Sequence, residues 1–210
     1  MYRVVQNGEV KMSILQKQIE ETIATITNQF HRKPYNFFNE HEFHQYCYHV
    51  FYGKKDFSNQ YTTLDGKKTN ILKPEYPSIG LFTRKPGNRP TRAHYDIAIL
   101  RPKFIENSNY ITVVNRDAKF SSKGTVNLAA ALEFKFIVKH NKEYRKEIAF
   151  DIHKLAKADE VELKYSLTFS NTIDGEMDYY RGLTIPEDMD VRYIAVWEEN
   201  GKKSIRVREL

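Results

Sequence analysis

Residues 130–138, Ala-Ala-Leu-Glu-Phe-Lys-Phe-Ile-Val, form an apolar run interrupted at alternate positions by one acid and one base. A run of this length, rich in aromatic and branched side chains, predicts a strand buried on both faces, and in a strand residues two apart point the same way. Glu133 and Lys135 then share one face while Leu132, Phe134 and Phe136 point into a core. An unpaired charge in such a strand would cost several kcal/mol, so both charges need partners. Taken alone, a Glu-x-Lys step is explained by an ion pair at the edge or end of a strand.

A second run changes that weighing. Residues 93–100, Ala-His-Tyr-Asp-Ile-Ala-Ile-Leu, again put one acid, Asp96, at the head of an apolar strand. A lone acid at a strand's start serves as a turn or cap residue. Two such strands, with a Lys two residues after the second acid, supply what a divalent cation and a phosphodiester require. They offer hard carboxylate oxygens for Mg²⁺ and a positive charge beside the attacking water or the phosphate.

The order Tyr95-Asp96, a variable connection, then Glu133-Phe134-Lys135 resembles the Asp…(Asp/Glu)-x-Lys signature of the PD-(D/E)XK, or restriction-endonuclease-like, nuclease superfamily. Tyr95 stands where the family name has Pro, a position that is loose in the family. The resemblance implies a central mixed sheet flanked by helices, with an αβββαβ core, and metal-dependent hydrolysis of nucleic acid. Asp96, Glu133 and the carbonyl of Phe134 would hold Mg²⁺, or Mn²⁺ in its place, and Lys135 would orient water or stabilise the phosphate. It further implies an acid from the first core helix, which Glu40 matches better than Glu42, and an acid near the first core strand, which Glu75 matches. An Asp-x-x-Lys-Leu pattern in the helix after Glu-x-Lys, here Asp151, Lys154 and Leu155, also recurs in the family.

The residues themselves leave plainer readings beside these. Glu40 lies three before Phe43 and seven before Cys47, hence on a buried helix face, but an acid in a first turn is also favoured by the helix dipole. Glu75 is flanked by Pro74 and Pro77, which suits an edge position before the strand expected at 78–82. Asp151 and Lys154, three apart, make an ordinary helix ion pair. His41 and His44 have the same spacing and could share a zinc ion, but no Cys or third ligand stands at a recognisable interval.

The net charge of +6 and a pI near 9.2 favour an anionic partner. The distribution is more telling: residues 53–103 hold eleven Lys/Arg against four Asp/Glu, so this segment carries the whole basic excess. Arg84, Lys85, Arg92 and His94, with Lys154 from the later helix, are the candidate contacts to nucleic acid, DNA before RNA. Cys47, the one cysteine, excludes an intramolecular disulfide and fits a reducing compartment. No signal-like or membrane-spanning apolar segment is present, so a soluble cytoplasmic protein with no membrane partner is expected.

In chain order, Ser13 caps an amphipathic helix with Ile14, Leu15, Ile19, Ile23, Ile26 and Phe30, a scaffold or a homodimer surface. A second helix is expected over 36–52, an exposed loop over 57–70, a turn at 84–87 leading into the Asp96 strand, and a short strand at 110–114. A helix at 146–156 then links the Glu133 strand to a parallel strand at 162–169. Asn200-Gly201 joins a final hairpin. The whole reads as a single α/β domain over 1–210: an N-terminal helical extension (1–35), a core (36–170) and a sheet extension (171–210). The expected function is a Mg²⁺-dependent endonuclease; the alternative is a catalytically inactive nuclease-fold module that binds nucleic acid or a protein.

Overall fold

The computed structural model describes residues 5–6, 9–10, 13–83, 89–115 and 127–210. Two short strands, β1 (Val5–Gln6) and β2 (Glu9–Val10), precede α1 (Ile14–Arg32), α2 (Glu40–Tyr52) and α3 (Lys55–Ser58). A hairpin of β3 (Gln60–Thr62) and β4 (Lys68–Asn70) leads to β5 (Leu72–Phe82) and β6 (Thr91–Leu100). The helices α4 (Pro102–Glu106) and α5 (Tyr110–Asn115) come before β7 (Leu128–Ile137), α6 (Glu143–Ala156) and β8 (Val161–Ser170). Helix α7 (Glu176–Tyr180) and the strands β9 (Met189–Glu199) and β10 (Lys202–Glu209) complete the chain.

Six strands form one mixed sheet in the order β10-β9-β8-β7-β6-β5. The strands β5, β6 and β7 run as an antiparallel meander, while β8 is parallel to β7 and β9 is parallel to β8. Strand β7 is where the sheet changes from antiparallel to parallel pairing. That change needs a long crossover on the parallel side, and α6 supplies it.

Alternation along β7 sets the layers. Phe134 and Phe136 face Phe43 of α2, at ring distances of 6.4 and 5.2 Å, and Phe30 of α1 packs edge-on against Phe136 and Phe169. Glu133 and Lys135 face the other way, to Lys154, Asp151 and Glu147 of α6. Helices thus cover both faces, which is why β7 is buried along its length, with only Lys135 partly open. Full burial of side chains the size of Phe43 or Phe136 contributes roughly 1.5–3 kcal/mol each.

Several local expectations change. The second helix begins at Glu40, because the Asn39 side chain accepts from Glu42 N at 2.9 Å and caps it there. Residues 57–70 are not an open loop: Phe57 is buried against Phe51, and β3 pairs with β4 around Asp65-Gly66. The β-branched run at 110–114 is helical rather than extended, since Asp65 Oδ1 takes the Tyr110 N–H at 2.8 Å and Val113 sinks into the core. Strand β5 begins at Leu72, so Glu75 lies inside it rather than before it. Residues 171–186 contain α7, and the turn expected at 84–87 lies outside the described residues. The capped first helix, buried Cys47 and the Asn200-Gly201 hairpin are as expected. Among the described residues no helix is long and apolar enough to cross a membrane.

Candidate functional site

The site forms where β6 and β7 part. Their ladder runs from Leu100 to Ile97 and ends at the pair Ile97↔Leu132. Continuing the same register would set Asp96 opposite Glu133 and Tyr95 opposite Phe134, but no strand pairing follows. Buried backbone groups must still find partners. The Phe134 N–H donates to Asp96 Oδ2 at 2.7 Å, and the Phe134 carbonyl accepts from His44 Nε2 at 2.8 Å. A carboxylate and an imidazole thus replace the missing strand partner.

Beside this opening lies a cleft of about 750 Å³. Among the described residues, seven carboxylates line it, those of Glu40, Glu75, Asp96, Glu133, Glu143, Glu147 and Asp151, against the three ammonium groups of Lys135, Lys146 and Lys154. The excess of negative charge belongs to a chain whose net charge is positive.

Two lysines organise the acids. Lys154 Nζ lies 2.7 Å from Glu133 Oε1 and 3.4 Å from Asp151 Oδ1, and donates to the His94 carbonyl at 2.6 Å. Burial alone would lower the Lys154 pKa, but the charges of Glu133 and Asp151 outweigh it and hold the ammonium above its ordinary value. Lys135 Nζ stands 2.9 Å from Glu40 Oε1, 3.2 Å from Glu147 Oε2 and 3.9 Å from Asp151 Oδ2. Burial again opposes its charge, and Asp151, Glu40 and Glu147 together raise its pKa despite that.

The acids are held in an uneasy balance. Burial pushes the Asp96 carboxyl up to about 6, with His44 and the Phe134 N–H pulling the other way. Burial lifts Glu133 well above the carboxylate range; Lys154 opposes this, while Asp96 and Asp151 add to it. Glu133 Oε1 has an ammonium 2.7 Å away, yet no hydrogen-bond donor is well aligned to it. Buried, mutually repelling hard oxygens of this kind are the donor set a divalent cation takes.

The expected residues distribute as follows. Asp96, Glu133, Lys135, Glu40 and Glu75 all line the cleft. Glu42 does not: its Oε2 accepts from Phe38 N at 2.8 Å and completes the cap of α2. The Phe134 carbonyl, expected to face a cation, is engaged by His44. Lys154 is 2% exposed and bonded on the protein side, so it does not stand out as a surface contact for phosphate. The Arg92 Nε donates to Ser78 O at 2.9 Å across β5 and β6, and His94 is exposed at the cleft. Arg84 and Lys85 lie outside the described residues.

Glu147 goes unassigned in sequence; Asp151 is placed there only as part of a recurring helix pattern or an ordinary ion pair, and His44 only as a zinc partner of His41. Asp151 and Glu147 sit four apart on α6, a spacing that puts both on one helical face over Lys135. His44 follows Glu40 by four on α2 for the same reason. Comparison with family models, with curated proteins and with solved structures finds no match for this chain.

Proposed function

We propose that this protein is a metal-dependent nuclease with a restriction-endonuclease-like core, hydrolysing phosphodiester bonds in nucleic acid, with DNA as the first substrate to test. The observation that carries the reading is the convergence of Asp96 and Glu133, at the ends of a ladder that has just opened, on one net-acidic cleft that also receives Lys135. The succession α2, β5, β6, β7, α6, β8 supports it as an αβββαβ order.

Asp96 and Glu133 are the residues that would hold the cation. When bound, such an ion neutralises charge on the phosphate and lowers the pKa of water. The surrounding residues have separable tasks. The Phe134 N–H fixes Asp96, and Lys154 holds the buried Glu133 carboxyl in place and partly offsets the burial that raises its pKa. Lys135, kept protonated by Glu40, Glu147 and Asp151, supplies the positive charge for the substrate phosphate or the attacking water. Without a cation the seven carboxylates would repel a polyanion, so activity should depend absolutely on added metal.

The second reading, an inactive nuclease-fold module that only binds, draws on the engagement of Glu133 by Lys154 and of the Phe134 carbonyl by His44. One experiment separates the two: labelled DNA and RNA of several structures, incubated with Mg²⁺ or Mn²⁺ and the native protein, Glu133→Ala or Lys135→Ala. Metal-dependent cleavage lost in both variants supports the nuclease. Binding without cleavage by all three proteins supports the module.

A further inference from the structure

We propose that His44 is itself a ligand of the divalent cation, with Asp96 and Glu75, and that the site therefore selects a first-row transition ion such as Mn²⁺ over Mg²⁺. This deepens the reading above: it rests on the cation held at Asp96, adding His44 and Glu75 to its ligands, and not on cleavage.

Donor atoms of His44, Glu75 and Asp96 all lie within 4.8 Å of one another. In an octahedral shell with metal–ligand distances of about 2.1 Å, neighbouring ligand atoms stand about 3 Å apart and opposite ones about 4.2 Å. His44 Nε2 is 2.8 Å from the Phe134 carbonyl oxygen and 3.6 Å from Asp96 Oδ2. The Asp96 separation lies between those of adjacent and opposite ligands, so the cluster is loose for a cation and would have to close slightly around one. The His44 Nε2–H donates to that carbonyl here; for Nε2 to offer its lone pair to a cation, the neutral ring must carry its one proton on Nδ1 instead, and the hydrogen bond to the Phe134 carbonyl is given up.

The backbone adds a second indication. Glu75 has φ +47 in the middle of β5, although Pro74 and Tyr76 on either side pair regularly with Ile97 and Tyr95 of β6. L residues avoid this left-handed conformation, and such strain gathers at ligand sites. Selectivity follows from the imidazole. Mg²⁺ prefers an all-oxygen shell and keeps its waters, whereas the first-row transition ions, of which Mn²⁺ binds least tightly, accept a neutral ring nitrogen more readily. The rival account is that His44 only caps the Phe134 carbonyl.

The test uses the full chain without nucleic acid. Mn²⁺ and Mg²⁺ are titrated separately by calorimetry and by thermal shift, and pulsed electron paramagnetic resonance reads nitrogen coupling to bound Mn²⁺. Native protein should bind Mn²⁺ about tenfold or more tightly than Mg²⁺ and show imidazole coupling. His44→Ala should lose Mn²⁺ affinity by roughly 10- to 100-fold, keep weak Mg²⁺ binding within a few-fold, and lose the coupling. His44→Gln retains an N–H for the Phe134 carbonyl, so it should restore the metal-free melting temperature but neither the preference nor the coupling. His41→Ala, an exposed neighbour bonded to Gln45, should match the native protein. Equal affinities, no ion bound, coupling absent in native protein or retained in His44→Ala, or full rescue of Mn²⁺ binding by His44→Gln would each overturn the proposal. Mn²⁺ held through His44 with no cleavage of any nucleic acid would sink the nuclease reading alone; Mg²⁺-driven cleavage without nitrogen coupling would sink this one alone.

Discussion

The Lys154 ammonium lies 2.7 Å from Glu133 Oε1 with both side chains almost completely withdrawn from water. Removing one member of such a pair strands the other charge, which costs about 3–5 kcal/mol, whereas replacing both with apolar residues of similar size costs far less. Lys154→Met is therefore expected to lower unfolding free energy by about that amount, and Glu133→Leu combined with Lys154→Met to recover most of it. Urea denaturation of the native, single and double variants measures the difference. Equal losses in both variants would mean that packing, not charge, dominates here.

Asp96 makes stability depend on pH. Its carboxyl is raised from an ordinary 3.8 to about 6, so in that window the folded state holds a proton that the unfolded state has lost. Stability is then fully present below the lower value and is lost as pH rises through the upper one. At about 1.4 kcal/mol per pKa unit the loss is at most about 3 kcal/mol. Asp96→Asn, which can still accept from the Phe134 N–H, should be more stable than the native protein at neutral pH and flatter across the window. Thermal melts against pH would show it, and a variant that is less stable at neutral pH would contradict the account.

On the nuclease reading proposed above, Lys135 is expected to matter to turnover more than to binding. Loss of a positive charge aimed at a developing phosphate charge typically costs about 100- to 1,000-fold in rate. For Lys135→Ala, cleavage should fall by that factor while nucleic-acid affinity, read by gel shift, changes only a few-fold. A parallel collapse of affinity would make Lys135 a binding residue instead.

Gly175 tests the backbone behind α7. It has φ +78, and a Cβ there would fall 1.9 Å from Nδ1 of His140, the ring that meets Tyr179 Oη at 2.9 Å. Gly175→Ala should destabilise the protein by about 1–3 kcal/mol through left-handed strain and displacement of that ring. Denaturant midpoints provide the measurement.

Cys47 should be inert. Burial pushes its thiol well above the usual range, with the charge of Asp96 adding to the effect. Labelling by a disulfide reagent should track global unfolding; rapid labelling of native protein would show that α2 opens locally.

What the chain disclosed in advance follows from periodicity. The alternation in residues 130–138 and the apolar run after Asp96 predicted both central strands, and the spacing of Glu133 and Lys135 predicted their shared face. Local pattern failed where a distant group decides the outcome. Asp65 holds the start of the 110–114 helix from forty-five residues away, and in the stretch expected to be an open loop Phe57 is buried against Phe51. The same limit applies to the site. Glu40 and Glu133 announced themselves as acids in apolar settings, but Asp151 and His44 look like ordinary helix residues until α6 and α2 are laid on opposite faces of β7.

At Phe134 the ladder gives way to a side chain, and this gives the protein a natural reporter. An amide locked between strands exchanges with solvent only when the sheet opens, but the Phe134 amide is held by the Asp96 carboxylate. Anything that draws that carboxylate elsewhere, a bound ion foremost, changes the shelter of one backbone proton without disturbing the β7–β8 pairing that continues beside it. The deuterium uptake of a single residue would register occupancy of the cleft before any substrate is turned over.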